Sequence, residues 1–421
     1  MQNILNRDAI SSGRGFVYDK VGKNTVCLEI NKIKNLLWDA GARKGDIVTI
    51  GIMVVDVKHI ASIFACAELG LKVFILNSPA TKESLPFTKL ALHGPSDFTI
   101  YSSQEDTTQV YNGLHDEMIK LYGGIRIDVM EDSSDRNIRG ELVYPEDTFL
   151  ISSTSGTTKA SRPILFSHQE TMAIAKRNIA IFWFGHDAKV IHSRNLHHAS
   201  AIMTHLLPAL MNAYSHSSFA LGHDGSHEED YDYLKGLKDL SDSPPSNIMM
   251  PNKNVLFDFL ESFGGAFKRT VNINMCGFVL DEEFVDLARE YNVCFQSHYG
   301  SIDTAIPLLI NRVDKDSIVI PNSLGVLCDD FYNTTLEDGR MKVECPFWNE
   351  PRYMDDEIAL FDGEYILMSN RPVSLKDMGV PEGFDITPQP FPSLSIITLK
   401  LKLSKDKGVL LISKVLLLDP L

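Results

Sequence analysis

The sequence predicts an α/β protein with largely parallel sheets, followed by a smaller antiparallel unit. Short apolar runs alternate with helical stretches through the first half of the chain, the pattern of βαβ units. After Ile318, strand-like pieces succeed one another. The chain has 421 residues, more than one core comfortably serves, so two α/β sub-domains are expected before the antiparallel unit.

Ile30 to Ala40 carries Ile33, Leu36 and Leu37 at helical spacing, and Gly41 stops it. Gly45-Asp46 leads into a compact strand, Ile47 to Ile52. Val57 to Gly70 is helical, with Ile60, Ile63, Phe64 and Ala67 on one face. Val73 to Leu76 reads as a buried strand closed by the turn Asn77-Ser78-Pro79. Further strands are expected at Phe98–Tyr101, Phe149–Ser153, Lys189–His192 and Phe219–Leu221. Gly222 to Asn247 is a polar, acidic crossing with a helix around Tyr231 to Leu240. His223 and His227 stand there among Asp224, Glu228 and Glu229, which suits a solvated face better than a metal site. A second α/β region runs from Ile248 to about Ile310. The tail from Ser395 to Leu418 reads as a β-hairpin turning at Ser404 to Gly408.

Charge and cysteine usage narrow the function. A formal net charge of −15 argues against nucleic acid and anionic membranes as partners. The six cysteines are scattered without a C-x-x-C pair, so they read as reduced thiols of a cytoplasmic protein. Met1 to Ile4 lacks a basic and apolar leader, and the longest apolar candidate, Gly408 to Leu418, is too short to span a bilayer.

Four constellations carry chemistry. Thr154-Ser155-Gly156-Thr157-Thr158 comes after the apolar run Phe149-Leu150-Ile151 and continues to Arg162 and Ser167-His168. Hydroxyls and backbone N–H groups around one glycine, with a cation at the end, suit the grip of phosphate oxygens. It lacks the Gly-Lys-Ser/Thr ending of the P-loop. Ser167 and Glu170 have capping-box spacing and open a helix toward Phe182. The second constellation is Arg194 to Ser200, containing His197 and His198. The third is Ser297-His298-Tyr299-Gly300-Ser301-Ile302-Asp303, with Cys276-Gly277 upstream. The fourth is Tyr353-Met354-Asp355-Asp356, succeeded by Tyr365-Ile366-Leu367 and Arg371.

In this order the motifs resemble the acyl- and aryl-adenylate-forming superfamily, which includes acyl-CoA synthetases, peptide-synthetase adenylation domains and luciferases. The family's phosphate loop reads roughly T-S-G-T-T-G-x-P-K-G, three apolar positions and S-H. Thr154 to Thr158, Ser167 and His168 match it, Ile164-Leu165-Phe166 fill the apolar positions, and Arg162 takes the lysine's place. Lys159, Ser161 and Pro163 replace a glycine, the proline and the last glycine. The resemblance places His198 beside the acyl site, Gly277 in the adenine pocket and Tyr299 on the adenine. Asp303 then holds Mg²⁺ and Asp356 the ribose, while Gly300 completes the Y-G motif and Arg371 falls on the hinge arginine. Ile302 and Met354 replace two threonines of the family pattern.

The resemblance covers about Leu36 to Arg371. It implies an adenylating domain over residues 1–370, two α/β sub-domains plus a small β-barrel-like unit. Residues 371–421 are then a reduced, divergent C-terminal segment in place of the family's mobile domain. The implied chemistry is ATP- and Mg²⁺-dependent activation of an aryl or acyl carboxylic acid to an acyl-adenylate. CoA, a carrier protein or another nucleophile would accept the acyl group, with Arg162, His198 and Asp303 as the catalytic set. The substitutions keep two other expectations open: a nucleotide-binding sensor without turnover, and a partner chain that supplies the mobile domain.

Overall fold

The computed structural model describes residues 4–10, 17–18, 21–50, 57–75, 97–101, 124–132, 136, 138, 140–153, 163–192, 201–218, 247–249, 256–257, 259–261, 265–276, 278–301, 304, 307–368, 385–386 and 401–402. Two compact units divide the chain, Met1–Met368 and Ser369–Leu421.

The first unit opens with a short ribbon, β1 (Val17–Tyr18) and β2 (Val21–Gly22), and helix α1 (Lys23–Asp39). α1 starts before the expected Ile30, because Val26 already belongs to the buried stripe that Ile30, Ile33 and Leu37 continue. Then come β3 (Ile47–Ile50), α2 (Val57–Leu69), β4 (Lys72–Ile75), β5 (Phe98–Tyr101), β6 (Ile125–Asp128), β7 (Thr148–Ser153) and β8 (Pro163–Ser167). These strands make a six-stranded sheet in the order β6-β5-β3-β4-β7-β8, parallel throughout except for β8. α2 is buried on nearly every side, and its Ile60, Ile63, Phe64 and Ala67 join the core that the stripe of α1 also enters. Near this core Glu68 accepts from Arg7 at 2.6 Å and from Lys34 at 2.9 Å. Burial works to raise the Glu68 pKa, but the two cations outweigh it and hold the carboxyl below its ordinary range.

Helix α3 (His168–Ile181) leads into the second sheet. Along the chain come β9 (Lys189–His192), a π-helical segment (Ile202–Leu206), α4 (Leu207–Asn212), β10 (Ser215–Ser218), β11 (Asn247–Met249), β12 (Val271–Cys276), α5 (Glu282–Tyr291) and β13 (Val293–Tyr299). Strands β10, β9, β11, β12 and β13 are parallel neighbours in that order, and β1 extends the edge as a parallel partner of β10. The antiparallel unit continues the same hydrogen-bonded series through β14 (Leu309–Val313), β15 (Ser323–Leu327), β16 (Asn333–Glu337), β17 (Arg340–Glu344), β18 (Arg352–Phe361) and β19 (Glu364–Leu367). The chain is thus mixed α/β, as the sequence predicts, and the antiparallel strands continue the second sheet in one hydrogen-bonded series.

In the second unit, β20 (Asp385–Ile386) pairs antiparallel with β21 (Leu401–Lys402). The Leu401–Lys402 strand therefore has a partner upstream. The expected second arm of the hairpin, residues 409–418, lies outside the described residues, as do the strand expected at Phe219–Leu221 and the helix around Tyr231. Among the described residues no helix is long and apolar enough to cross a membrane.

Candidate active site

The phosphate-loop motif is bracketed by two paired strands. β7 runs up the interior of the first sheet and β8 returns beside it, with Ser153 opposite Pro163. The segment from Thr154 to Arg162 joins these paired ends and lies outside the described residues. The start of α3, just beyond β8, is held by several bonds. The Ser167 hydroxyl accepts from the Glu170 backbone N–H at 3.2 Å and caps the helix. The Glu170 carboxylate in turn takes a backbone hydrogen bond from Ser167, completing the capping box. Glu170 also accepts from the Trp348 indole N–H at 2.8 Å. Trp348 stacks on Tyr332 at 5.7 Å and carries the Arg352 guanidinium 4.0 Å above its ring. The helix that closes the loop is thereby bonded to the antiparallel unit. Burial pushes the Glu170 carboxyl above its usual range, against the pull of Trp348 and Arg352.

His168, the last residue of the motif, is structural. It is fully buried, tilts against Phe149 at a centroid distance of 4.9 Å, and its Nδ1 accepts from the Leu5 N–H at 3.3 Å. Burial pulls its pKa down to about 4, so the ring is neutral near pH 7.

The third and fourth motifs meet. β13 ends at Tyr299, whose hydroxyl donates to Asp356 Oδ2 on β18 at 2.7 Å. Gly300 comes directly after it, and Ser301 and Thr304 then close a turn: the Ser301 N–H donates to Thr304 Oγ1 at 3.1 Å and the Thr304 N–H to the Ser301 carbonyl at 3.1 Å. Met354 lies against this turn, its Sδ 3.8 Å from Ser301 Oγ and 3.7 Å from Thr304 Oγ1. Met354 thus ties β18, the strand of Asp356, to Ser301 and Thr304. Thr304 is a neighbour of the candidate site that motif reading misses, because it bonds locally to Ser301 rather than filling a motif position.

The remaining expected site residues, Arg162, His198, Gly277, Asp303 and Arg371, lie outside the described residues. Their neighbours are placed: His192 ends β9 just before the His198 segment, Cys276 ends β12 just before Gly277, and Ser301 and Thr304 enclose Asp303. Among the described residues no group of three His, Cys, Asp or Glu side chains could hold a metal.

No protein-family model matches the chain, and no curated protein matches it. Solved structures do. O-succinylbenzoate coenzyme A synthetase (MenE) from Bacillus subtilis, in complex with ATP and magnesium ion, superposes with a TM-score of 0.69 at 16% identity, over 94% of this chain and 85% of that one. The anthranilate CoA ligase AuaEII, in complex with anthranoyl-AMP, gives 0.69 at 13% identity over 95% and 87%. ATP-bound MatB from Rhodopseudomonas palustris gives 0.62 at 14% identity over 87% and 78%. The chain has the fold of these CoA ligases.

Proposed function

We propose that this protein activates a carboxylic acid with MgATP, forming an acyl-adenylate and pyrophosphate. The observation that carries the reading is the contact between Tyr299 and Asp356, two motif residues 57 positions apart, at 2.7 Å. A carboxylate held in this way can take the two vicinal hydroxyls of a ribose, and the face of Tyr299 can pack on adenine beside Gly277. Thr154, Ser155, Gly156, Thr157, Thr158 and Arg162, strung between the paired strands β7 and β8, would cradle the phosphates. Asp303 would hold the magnesium that ATP brings. The reacting carboxylate would attack the α-phosphorus, beside His198, and the bond to pyrophosphate would break. The protein's part is positioning and charge neutralisation.

On this reading residues 1–370 form the adenylating domain, with Arg371 at the hinge. The acyl group would pass to CoA, a carrier protein or another nucleophile, in the cytoplasm. Pyrophosphate exchange into ATP across a panel of aryl and alkyl acids tests the reading. Exchange with at least one acid is expected. None with any acid, in protein that melts cooperatively, would sink it. Met354 favours one second reading, binding without turnover, because a thioether stands where relatives offer a hydroxyl. Calorimetry showing tight ATP binding with no exchange would select it.

A further inference from the structure

Helix α3 is bound to the antiparallel unit at two places along one face. Glu170, in its first turn, and Arg177, two turns on, share that face because they are seven residues apart. Glu170 accepts from the Trp348 indole N–H at 2.8 Å, and Arg177 Nε donates to Asp329 Oδ2 at 2.7 Å. Both charges are buried: Glu170 is 5% exposed and the Arg177 side chain 4%. A stack of side chains joins the two anchors. The Arg177 guanidinium lies 4.8 Å from the centre of the Tyr332 ring, Tyr332 stacks on Trp348 at 5.7 Å, and Arg352 covers Trp348 at 4.0 Å. Phe331 flanks Arg177 at 5.4 Å.

The stack ends on the strand that carries Asp356. Arg352 opens β18, and Asp356 lies four residues further along it, bonded to Tyr299. The other end of the stack stands on α3, which opens directly after β8 and packs on β7 and β8. β7 and β8 belong to the first sheet and β18 to the second hydrogen-bonded series, and among the described residues no strand pairing joins the two. A nucleotide held at both ends, as proposed above, would therefore touch elements of two separate sheets, and α3 is in contact with both. An apolar contact of the same area would bind the helix at a lower desolvation cost than buried charges do. What the charges add is alignment. One helical turn is about 5.4 Å, so a slip of even half a turn would part Glu170 from the indole and Arg177 from its carboxylate.

We propose that Glu170, Arg177 and Trp348 are positioning residues of the nucleotide site, which set the spacing between the proposed phosphate loop and the proposed ribose carboxylate, Asp356. The inference rests on the adenylation reading and adds to it three residues that touch no part of the nucleotide. A ligand that bridges two preset ends binds far more tightly than either of its pieces, because the protein has already met the cost of aligning those ends. Weakening the brace transfers that cost to ATP. A ligand that occupies one end alone does not feel it.

Calorimetry with adenosine, with magnesium pyrophosphate and with MgATP reads the spacing directly. Wild-type protein should bind MgATP about a hundredfold or more tighter than either piece. Trp348→Phe keeps an aromatic ring and removes the N–H. Its MgATP affinity should fall about tenfold, while adenosine and pyrophosphate stay within about twofold of wild type. Glu170→Gln keeps an oxygen for the indole N–H and should stay within about threefold of wild type for all three ligands. Arg177→Lys keeps the charge opposite Asp329 and loses the planar stack on Tyr332. It should show the same selective loss of MgATP affinity, at about threefold, and carries the test should Trp348→Phe fail to melt cooperatively. Several results would overturn the proposal alone: MgATP affinity unchanged in the folded Trp348→Phe or Arg177→Lys protein, equal losses for all three ligands, a loss in Glu170→Gln as large as in Trp348→Phe, or wild-type protein that binds MgATP no tighter than its pieces. No binding of MgATP by cooperatively melting wild-type protein would overturn the adenylation reading as well.

Discussion

Tyr299 and Asp356 are joined in the candidate site through one phenolic hydrogen and one carboxylate. A neutral donor to a charged acceptor contributes more than an ordinary hydrogen bond, about 1.5–3 kcal/mol. Tyr299→Phe keeps the ring for stacking and removes only the hydroxyl, so ATP affinity by calorimetry should fall about tenfold. Asp356→Ala removes the proposed ribose acceptor itself and should cost at least as much. ATP affinity unchanged in both variants would remove the pair from the site. His168 makes a prediction of a different kind. Its folded pKa, about 4, lies below the ordinary histidine value because burial disfavours the charged ring. Below about pH 6.5 the unfolded chain takes up a proton that the folded one refuses. The stability contributed by the neutral ring is therefore fully present above about pH 6.5 and is lost as pH falls toward about 4. The loss is on the order of 3 kcal/mol. Urea midpoints measured across that window should fall less steeply in His168→Leu than in the wild type. Parallel slopes would contradict the burial argument.

At the scale of elements, α3 shows what a local pattern can and cannot reveal. Its start is legible, because Ser167 and Glu170 have capping-box spacing and form the box. Its end is approximately legible, at Phe182, but not its cause. No glycine succeeds the helix directly; Trp183 takes the left-handed conformation at φ 53°, with the Arg312 guanidinium 4.1 Å from the centre of its ring. The bonds of the left-handed cap form without a glycine, from the Phe184 N–H to the Ile179 carbonyl at 2.9 Å and from the Trp183 N–H to the Ala180 carbonyl at 3.3 Å, and the Phe182 and Ile181 carbonyls beyond them are met by amides from strands 65 and 115 residues away, which no local pattern encodes. The parallel strands are legible as apolar runs, whereas Ser215–Ser218 is not, because a polar SHSS segment has no strand signal. Tyr299 and Asp356 are legible as members of motifs, but their contact is not, since register across an antiparallel unit depends on bulges. One such irregularity lies at Gly325, with φ +85°, where β15 shifts register against β19. A Cβ there would overlap the Ile310 carbonyl oxygen, which is backbone and cannot step aside. Gly325→Ala should therefore cost about 3 kcal/mol or more by chemical denaturation. A loss below about 1 kcal/mol would mean that β14 and β15 can part cheaply.

For the first unit as a whole, the segment ahead of α1 reaches both halves. Leu5 bonds His168 at the start of α3, Arg7 pairs with Glu68 on α2, and β1 joins the far edge of the second sheet. Removing the shared carboxylate leaves Lys34 buried with its charge unanswered. Glu68→Ala should thus cost about 3–5 kcal/mol, more than losing an exposed ion pair. A change within about 1 kcal/mol in thermal and urea melts would show that Lys34 finds water or another partner.

The pairing of β1 with β10 has a further consequence in time. Val17 lies opposite Ser215, so the two strands leave the ribosome about two hundred residues apart. At ordinary synthesis rates that interval is about 10–40 s. Through it β1 has only β2 beside it, and its other edge stays open until β10 is made. A chaperone that covers that edge during translation would act where the early ribbon can take a wrong partner.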